Sequence, residues 1–280
     1  MPVTLHGVTH GAIDFAVPPG ACDCHTHVFG PNILFPHDPA RKYTPGEASA
    51  VEMIALHRAL KVDRVVIVQP SPYGSDNRAT LAGMRSYGRG ARGVAVIDAQ
   101  TNDEQLQAMH TAGIRGVRVN LETGGVHDPA AAGRGLREAA ARAAPLGWHV
   151  QTYTNMGVIA ALREVMADLP VPLVIDHFGR AQARLGLLQP GFADLLALVK
   201  AGRAYVKLSA PHRLAASRRP ATPAGRCARD RALHADRRRR RAEPSGTLGA
   251  DAGADQEDTG GQSGALVRFP GRIEQPRSTA

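Results

Sequence analysis

The sequence predicts an α/β chain of the (β/α)8, TIM-type barrel class, incomplete because strand eight is missing. Three observations predict it. From residue 21 to about 208, short apolar runs alternate with helix-like stretches, giving seven strands in the pattern of a parallel sheet covered by helices. The Gly-x-Gly-x-x-Gly turn of an open dinucleotide-binding sheet is absent after the first strand. Polar residues stand at the C-terminal ends of six different strands, at His27, Ser71, Arg118, Tyr153, His177 and Ser209. Only a closed barrel brings so many strand ends to one mouth.

Taken in order, the first strand is Ala21 to Val28. A helix near Glu47–Leu60 leads into Val65-Val66-Ile67-Val68, and one near Asn77–Tyr87 leads into Gly93 to Ile97. Asp103–Ala112 is the third helix, stopped by Gly113, a residue that ends helices readily, before Ile114 to Val119. An Ala/Arg-rich helix ending at Pro145-Leu146-Gly147 precedes His149 to Tyr153. Val158–Asp168 precedes Val171 to Ile175, and Phe192–Lys200, broken by Gly202, precedes Ala204 to Leu208.

After Arg213 the pattern stops. Arg237–Arg241 is an unbroken arginine run, followed by a Gly/Ala/Asp/Ser-rich stretch. Such a composition buries too little apolar surface to offset chain ordering. The predicted organisation is an N-terminal arm (1–20), a barrel (21–213) and an Arg-rich, low-complexity tail (214–280) expected to be disordered. The abrupt change in composition suggests a shifted reading frame in the coding sequence. Of the formal net charge of +9, most belongs to the tail, where residues 208–280 carry 14 arginines against 8 acidic residues. The arginine run has no aromatic interleaving, so it reads as a solvated charge run and not as a nucleic-acid surface. No stretch of about 18 apolar residues appears, so no membrane partner is expected. Three cysteines without a framework fit a reducing compartment, and the chain reads as cytoplasmic.

The chemistry starts at His25 and His27. Side chains two apart on a strand share a face, so both imidazoles can converge on one ion or substrate group, with Asp23 on the same face. The alternative is a pair of strand-end histidines satisfied by the backbone. Cys24 beside His25 does not form a nucleophilic pair, because adjacent strand residues point to opposite faces. Arg118 is out of phase with the outward Arg115 and Val117, so it can enter the barrel mouth, where a guanidinium needs an anion. A substrate carboxylate is the functional partner; Glu122 or Asp98 is the structural one. Asp176, next to His177, falls on the opposite strand face and reads as structural. Lys207 reads as a buried salt-bridge partner.

Five blocks occur in order: Asp23-Cys24-His25-Thr26-His27-Val28-Phe29-Gly30-Pro31; Val68-Gln69-Pro70-Ser71 with Asp76-Asn77; Gly113 to Arg118; Val174 to Gly179; and Lys207 to Pro211. Over residues 21–213 they resemble the amidohydrolase superfamily, and within it the branch of 2-pyrone-4,6-dicarboxylate lactonase and related lactone hydrolases. The resemblance implies a distorted (β/α)8 barrel that opens a cyclic ester. It implies that His25, His27 and His177 surround the substrate carbonyl. It leaves two cofactor states open: one divalent metal, zinc or manganese, on those three histidines, or a metal-free site. Arg118 and Arg213 match carboxylate-binding arginines, Ser71 and Tyr153 match substrate-contacting hydroxyls, and Tyr43 matches a tyrosine in a loop over the site. Two departures stand out. A further arginine after the one matched by Arg118 is replaced here by Glu122-Thr123-Gly124-Gly125. The strand-eight segment carrying a water-activating Asp is absent, and Trp148 is the sole tryptophan.

The expected function is therefore a hydrolase acting on a small carboxylate-bearing lactone. Two alternatives remain: a metal-dependent decarboxylase on the same barrel, and an inactive product lacking the strand-eight Asp. The free edges of a seven-stranded barrel also allow a homo-oligomer.

Overall fold

Continuous runs of Val, Ile and Leu can be buried on both faces, which is what a parallel strand between helices demands. The computed structural model describes residues 15–126 and 128–214, together with the backbone of 3–5 and 8–10. In the arm, β1 (Val3–Leu5) and β2 (Val8–His10) pair antiparallel, a hairpin that the sequence reading does not anticipate. Seven parallel strands follow: β3 (Cys22–Thr26), β4 (Arg64–Val68), β5 (Ala91–Ala95), β6 (Ile114–Asn120), β7 (His149–Tyr153), β8 (Leu173–Ile175) and β9 (Ala204–Val206). They lie in sequence order in one sheet, which curls into an incomplete barrel. Among the described residues this sheet has seven strands, and the segment after residue 214, where the sequence reading finds no eighth, lies outside them. Residues 15–214 belong to one compact unit; a second unit, residues 216–262, lies outside the described residues, as does the predicted tail from residue 215 onward.

The helices are α1 (Ala50–Ala59), α2 (Arg78–Tyr87), α3 (Asp103–Thr111), the single turn α4 (Leu121–Gly124), α5 (Pro129–Ala143), α6 (Met156–Ala161), α7 (Arg163–Asp168) and α8 (Phe192–Lys200). Their starts are written in the sequence. Ser49 accepts from the Glu52 backbone N–H while the Glu52 carboxylate accepts from the Ser49 N–H, and Asn102 and Gln105 make the same reciprocal cap. The helix predicted over Val158–Asp168 is two pieces, because Leu162 (φ −112°, ψ 15°) leaves helical geometry between them. Strand residues Ile67, Ile114, Val150, Leu173 and Ile175 are fully buried against this helical layer, and Trp148 is buried with its indole N–H bonded to His110 at 3.0 Å. The apolar layer thus fixes the strands, and the strands deliver their C-terminal ends to one rim.

Candidate active site

The pairing of β3 with β4 passes from Asp23 opposite Val65 to Thr26 opposite Ile67, so Cys24 and His25 together stand against Val66. That bulge reverses the alternation of side chains. Asp23 consequently does not share a face with the histidines, contrary to the expectation from spacing alone. Its carboxylate meets His57 of α1 at 3.0 Å and accepts the His25 backbone N–H at 2.9 Å. His25 and His27 turn inward together, ring centroids 5.2 Å apart, and His27 Nδ1 lies 2.7 Å from the Val68 carbonyl. A carbonyl only accepts, so Nδ1 carries the His27 proton and Nε2 is bare.

At β8 the expected phase is also inverted. Arg118, Gln151 and Val174 are in register on neighbouring strands, so their face continues to Asp176, which is fully buried among the site residues. His177 follows directly and would point outward on a continuing strand. Instead the strand has ended, and His177, Phe178, Gly179 and Arg180 all adopt left-handed φ of 51–59°. This turn brings the His177 ring back to 4.5 Å from His25, with its Nδ1 2.7 Å from the Ser209 hydroxyl. Four consecutive left-handed residues, three of them not glycine, are a costly backbone that a packed surrounding must hold.

Asp176 is the hub. Gln151 Nε2 donates to its Oδ2 at 3.1 Å, Arg118 is 3.5 Å away, His25 Nδ1 3.3 Å and Lys207 Nζ 3.7 Å. Burial alone would raise its pKa, but the adjoining His25 and the charges of Lys207 and Arg118 hold it well below the usual carboxylate range. The histidines are pushed the other way. Burial, assisted by Arg118, lowers His27 to about 3, and burial lowers His177 to about 4 against the pull of Asp176. His25 is also driven well below its ordinary value by burial. All three imidazoles are thus neutral at physiological pH, beside two cations and one carboxylate. Three buried polar atoms here have no hydrogen-bond partner among the described residues: His25 Nε2, Arg118 Nε and Asp176 Oδ1. Unsatisfied groups of this kind are expensive unless a ligand or ion meets them.

Of the residues singled out for substrate contact, Arg118 is buried and donates to the Gln69 carbonyl at 3.1 Å. Tyr153 packs its ring 5.4 Å from His177, and its hydroxyl accepts from Arg213 at 2.7 Å and from Arg180 at 3.1 Å. Ser71 opens a 3-10 turn after β4 and is not hydrogen-bonded to the cluster. Tyr43 is 40 % exposed on the β3–α1 loop and no hydrogen bond joins it to the histidines. Sequence reasoning missed Arg180, which bridges Tyr153 and Glu122 (2.7 Å), and it assigned no site role to Gln151 or Lys207. The only available signal for Lys207 and Gln151 was strand phase, counted across neighbouring strands and not along one.

His25, Asp176 and His177 each offer a ligand atom, all within 4.8 Å of one another. Two neutral imidazoles and an ionised carboxylate are the right donors for zinc or a similar divalent ion, and two of the unpartnered atoms belong to this set. These residues therefore fit a metal; His27 stands beside the group and outside it.

The sequence pattern described as amidohydrolase matches residues 22–242. The chain is 40% identical over 201 residues to a 2-pyrone-4,6-dicarboxylate hydrolase of Comamonas testosteroni, covering 71% of this chain and 65% of that protein. It is 36% identical over 204 residues to a 4-sulfomuconolactone hydrolase of Hydrogenophaga intermedia, covering 71% and 66%. It therefore spans about two thirds of the length of these relatives. A crystal structure of a probable 2-pyrone-4,6-dicarboxylic acid hydrolase from Acinetobacter baumannii with citric acid bound is similar at a TM-score of 0.62 and 26% identity, over 79% of each chain.

Proposed function

This chain belongs to the amidohydrolase family, and from that premise we propose that it hydrolyses a small lactone bearing a carboxylate. One observation carries the reading: a buried site in which Arg118 and Lys207 outnumber Asp176, with Arg118 Nε left unpartnered among the described residues. A pocket with an unbalanced buried cation needs an anion, and a substrate carboxylate supplies it. The two curated relatives are named for lactones carrying anionic groups, and the solved relative holds a tricarboxylic acid, which supports the same substrate class.

In this reading Arg118 and Arg213 take the carboxylate, with Tyr153 orienting Arg213 through its hydroxyl. The His25 Nε2 faces the carbonyl oxygen and stabilises the negative charge that develops there. His27, whose Nδ1–H is committed to Val68, presents a bare Nε2 that accepts the proton of the attacking water. Burial lowers its basicity most and the Arg118 charge next; a substrate carboxylate on Arg118 offsets the second of these. As the tetrahedral intermediate collapses, the ring C–O bond breaks and the ring oxygen takes that proton, opening the lactone to a hydroxy acid. A divalent ion on His25, Asp176 and His177 supplies Lewis-acid polarisation of the carbonyl when bound.

The test is a panel of carboxylated lactones assayed with purified protein and with His27→Ala. The reading predicts measurable ring opening that His27→Ala abolishes; ring opening that persists in His27→Ala contradicts it.

A further inference from the structure

Two guanidiniums flank one hydroxyl beside the site. Arg180 Nη1 donates to the Tyr153 hydroxyl at 3.1 Å, and Arg213 Nη1 donates to the same oxygen at 2.7 Å. Their guanidinium carbons lie 5.6 and 5.7 Å from the centre of the Tyr153 ring, which itself packs against His177. The two differ in their counter-ions. Glu122 Oε1 lies 2.7 Å from Arg180 Nη1, whereas Arg213 meets no carboxylate among the described residues. The Glu122 carboxylate is held at both oxygens. Asn155 caps α6, its Oδ1 accepting the Val158 backbone N–H, which leaves Nδ2 to donate to Glu122 Oε2 at 3.0 Å. Glu122 sits on α4, whose start Asn120 caps, and its side chain is only 18% exposed. Arg180 ends the left-handed turn that returns His177 to the site, so the same turn sets both residues beside Tyr153.

We propose that Glu122 is a specificity-determining residue: as an internal carboxylate it occupies Arg180, so the site takes a ring with one carboxylate and disfavours a ring with two. The substrate class rests on the lactone-hydrolase reading, in which Arg118 and Arg213 hold the single carboxylate. A second carboxylate directed at Arg180 has to displace Glu122 from a guanidinium and an amide, and then lies beside the anion it displaced. The monocarboxylate leaves that pair undisturbed, so the cost falls on the wrong ligand alone. A purely structural ion pair, tying α4 to the turn after β8, would leave the choice of ligand unchanged when its charge is removed.

The experiment measures the affinity of benzoate and isophthalate, unreactive rings with one and two carboxylates, by ligand-observed NMR. Both are titrated into the full chain, Glu122→Gln and the double variant Glu122→Gln/Arg180→Met. The proposal expects the unmodified protein to bind isophthalate no more tightly than benzoate. In Glu122→Gln isophthalate should gain at least about tenfold, the size of one charge-assisted hydrogen bond, while benzoate changes by less than about threefold. The double variant should lose that gain. Tighter binding of isophthalate than of benzoate by the unmodified protein overturns the proposal, as does no binding of benzoate, and neither result needs a variant to fold. In folded Glu122→Gln, an isophthalate affinity that does not rise, or a benzoate affinity that rises as much, also overturns it. So does a gain that survives Arg180→Met. No readout involves turnover, so a lactone panel without activity would count against the proposed reaction and leave this selectivity standing.

Discussion

At the scale of single residues, the site is a balance of a few charges. Arg213 is exposed and bound to the Tyr153 hydroxyl at 2.7 Å, so removing its charge should cost substrate affinity and little else. Arg213→Met is expected to raise KM about tenfold with kcat nearly unchanged, the size of one charge-assisted hydrogen bond. A fall in kcat at constant KM would assign it to the chemical step instead. The inward turn of Arg118 was legible from its phase against Arg115 and Val117. Asp176 was not legible: reading it relative to His177 assumed a strand that continues, whereas β8 ends at Ile175 and His177 escapes by a left-handed turn. Asp23 was misjudged for the complementary reason. Nothing in Cys22 to Thr26 announces the bulge, because a bulge is a mismatch between two strands and no single strand encodes it.

At the scale of elements, boundaries were readable where side chains cap or break. The reciprocal Ser49–Glu52 cap at the start of α1 is the Ser-x-x-Glu pattern itself, and Ser49→Ala should lower stability by about 1 kcal/mol in urea melts. A loss below a few tenths would mean that the helix start is held by packing. Gly191, which begins α8, carries φ +85°, and a Cβ there would collide with the Met156 carbonyl oxygen. Gly191→Ala should therefore cost about 2–4 kcal/mol, combining backbone strain with a steric clash against main chain. An unchanged melting midpoint would contradict the tight approach of α8 to α6. The split of the predicted Val158–Asp168 helix was not readable, since neither glycine nor proline marks Leu162. The seven strands were legible as apolar runs, because burial on both faces removes the ambiguity of which residues must be hydrophobic.

At the scale of the whole molecule, stability and acidity are linked through the buried imidazoles. Folded values of about 3 for His27 and about 4 for His177 and His149 lie below the ordinary histidine value, chiefly through burial. The unfolded chain therefore binds more protons than the folded one below about pH 6.5. Stability is full above that pH and falls as the pH drops toward 4, by up to about 1.4 kcal/mol per pH unit for each group. Asp176, held low in the fold, adds a further loss only below about pH 4. Urea midpoints should fall between pH 7 and pH 5; a flat profile would mean that these rings are hydrated. Among the described residues β3 pairs only with β4 and β9 only with β8, so two strand edges lack partners in the sheet. Self-association that grows over about a hundredfold range of concentration should appear in size-exclusion chromatography, and a constant elution volume would argue against exposed edges. The central claim is that neutral imidazoles and unbalanced cations meet at one rim to open an anionic ring ester. Its most direct test compares kcat/KM for a carboxylated lactone and for the same lactone as its methyl ester. The account predicts ring opening of the free acid and at least about a tenfold loss for the methyl ester; equal rates for the two would contradict it.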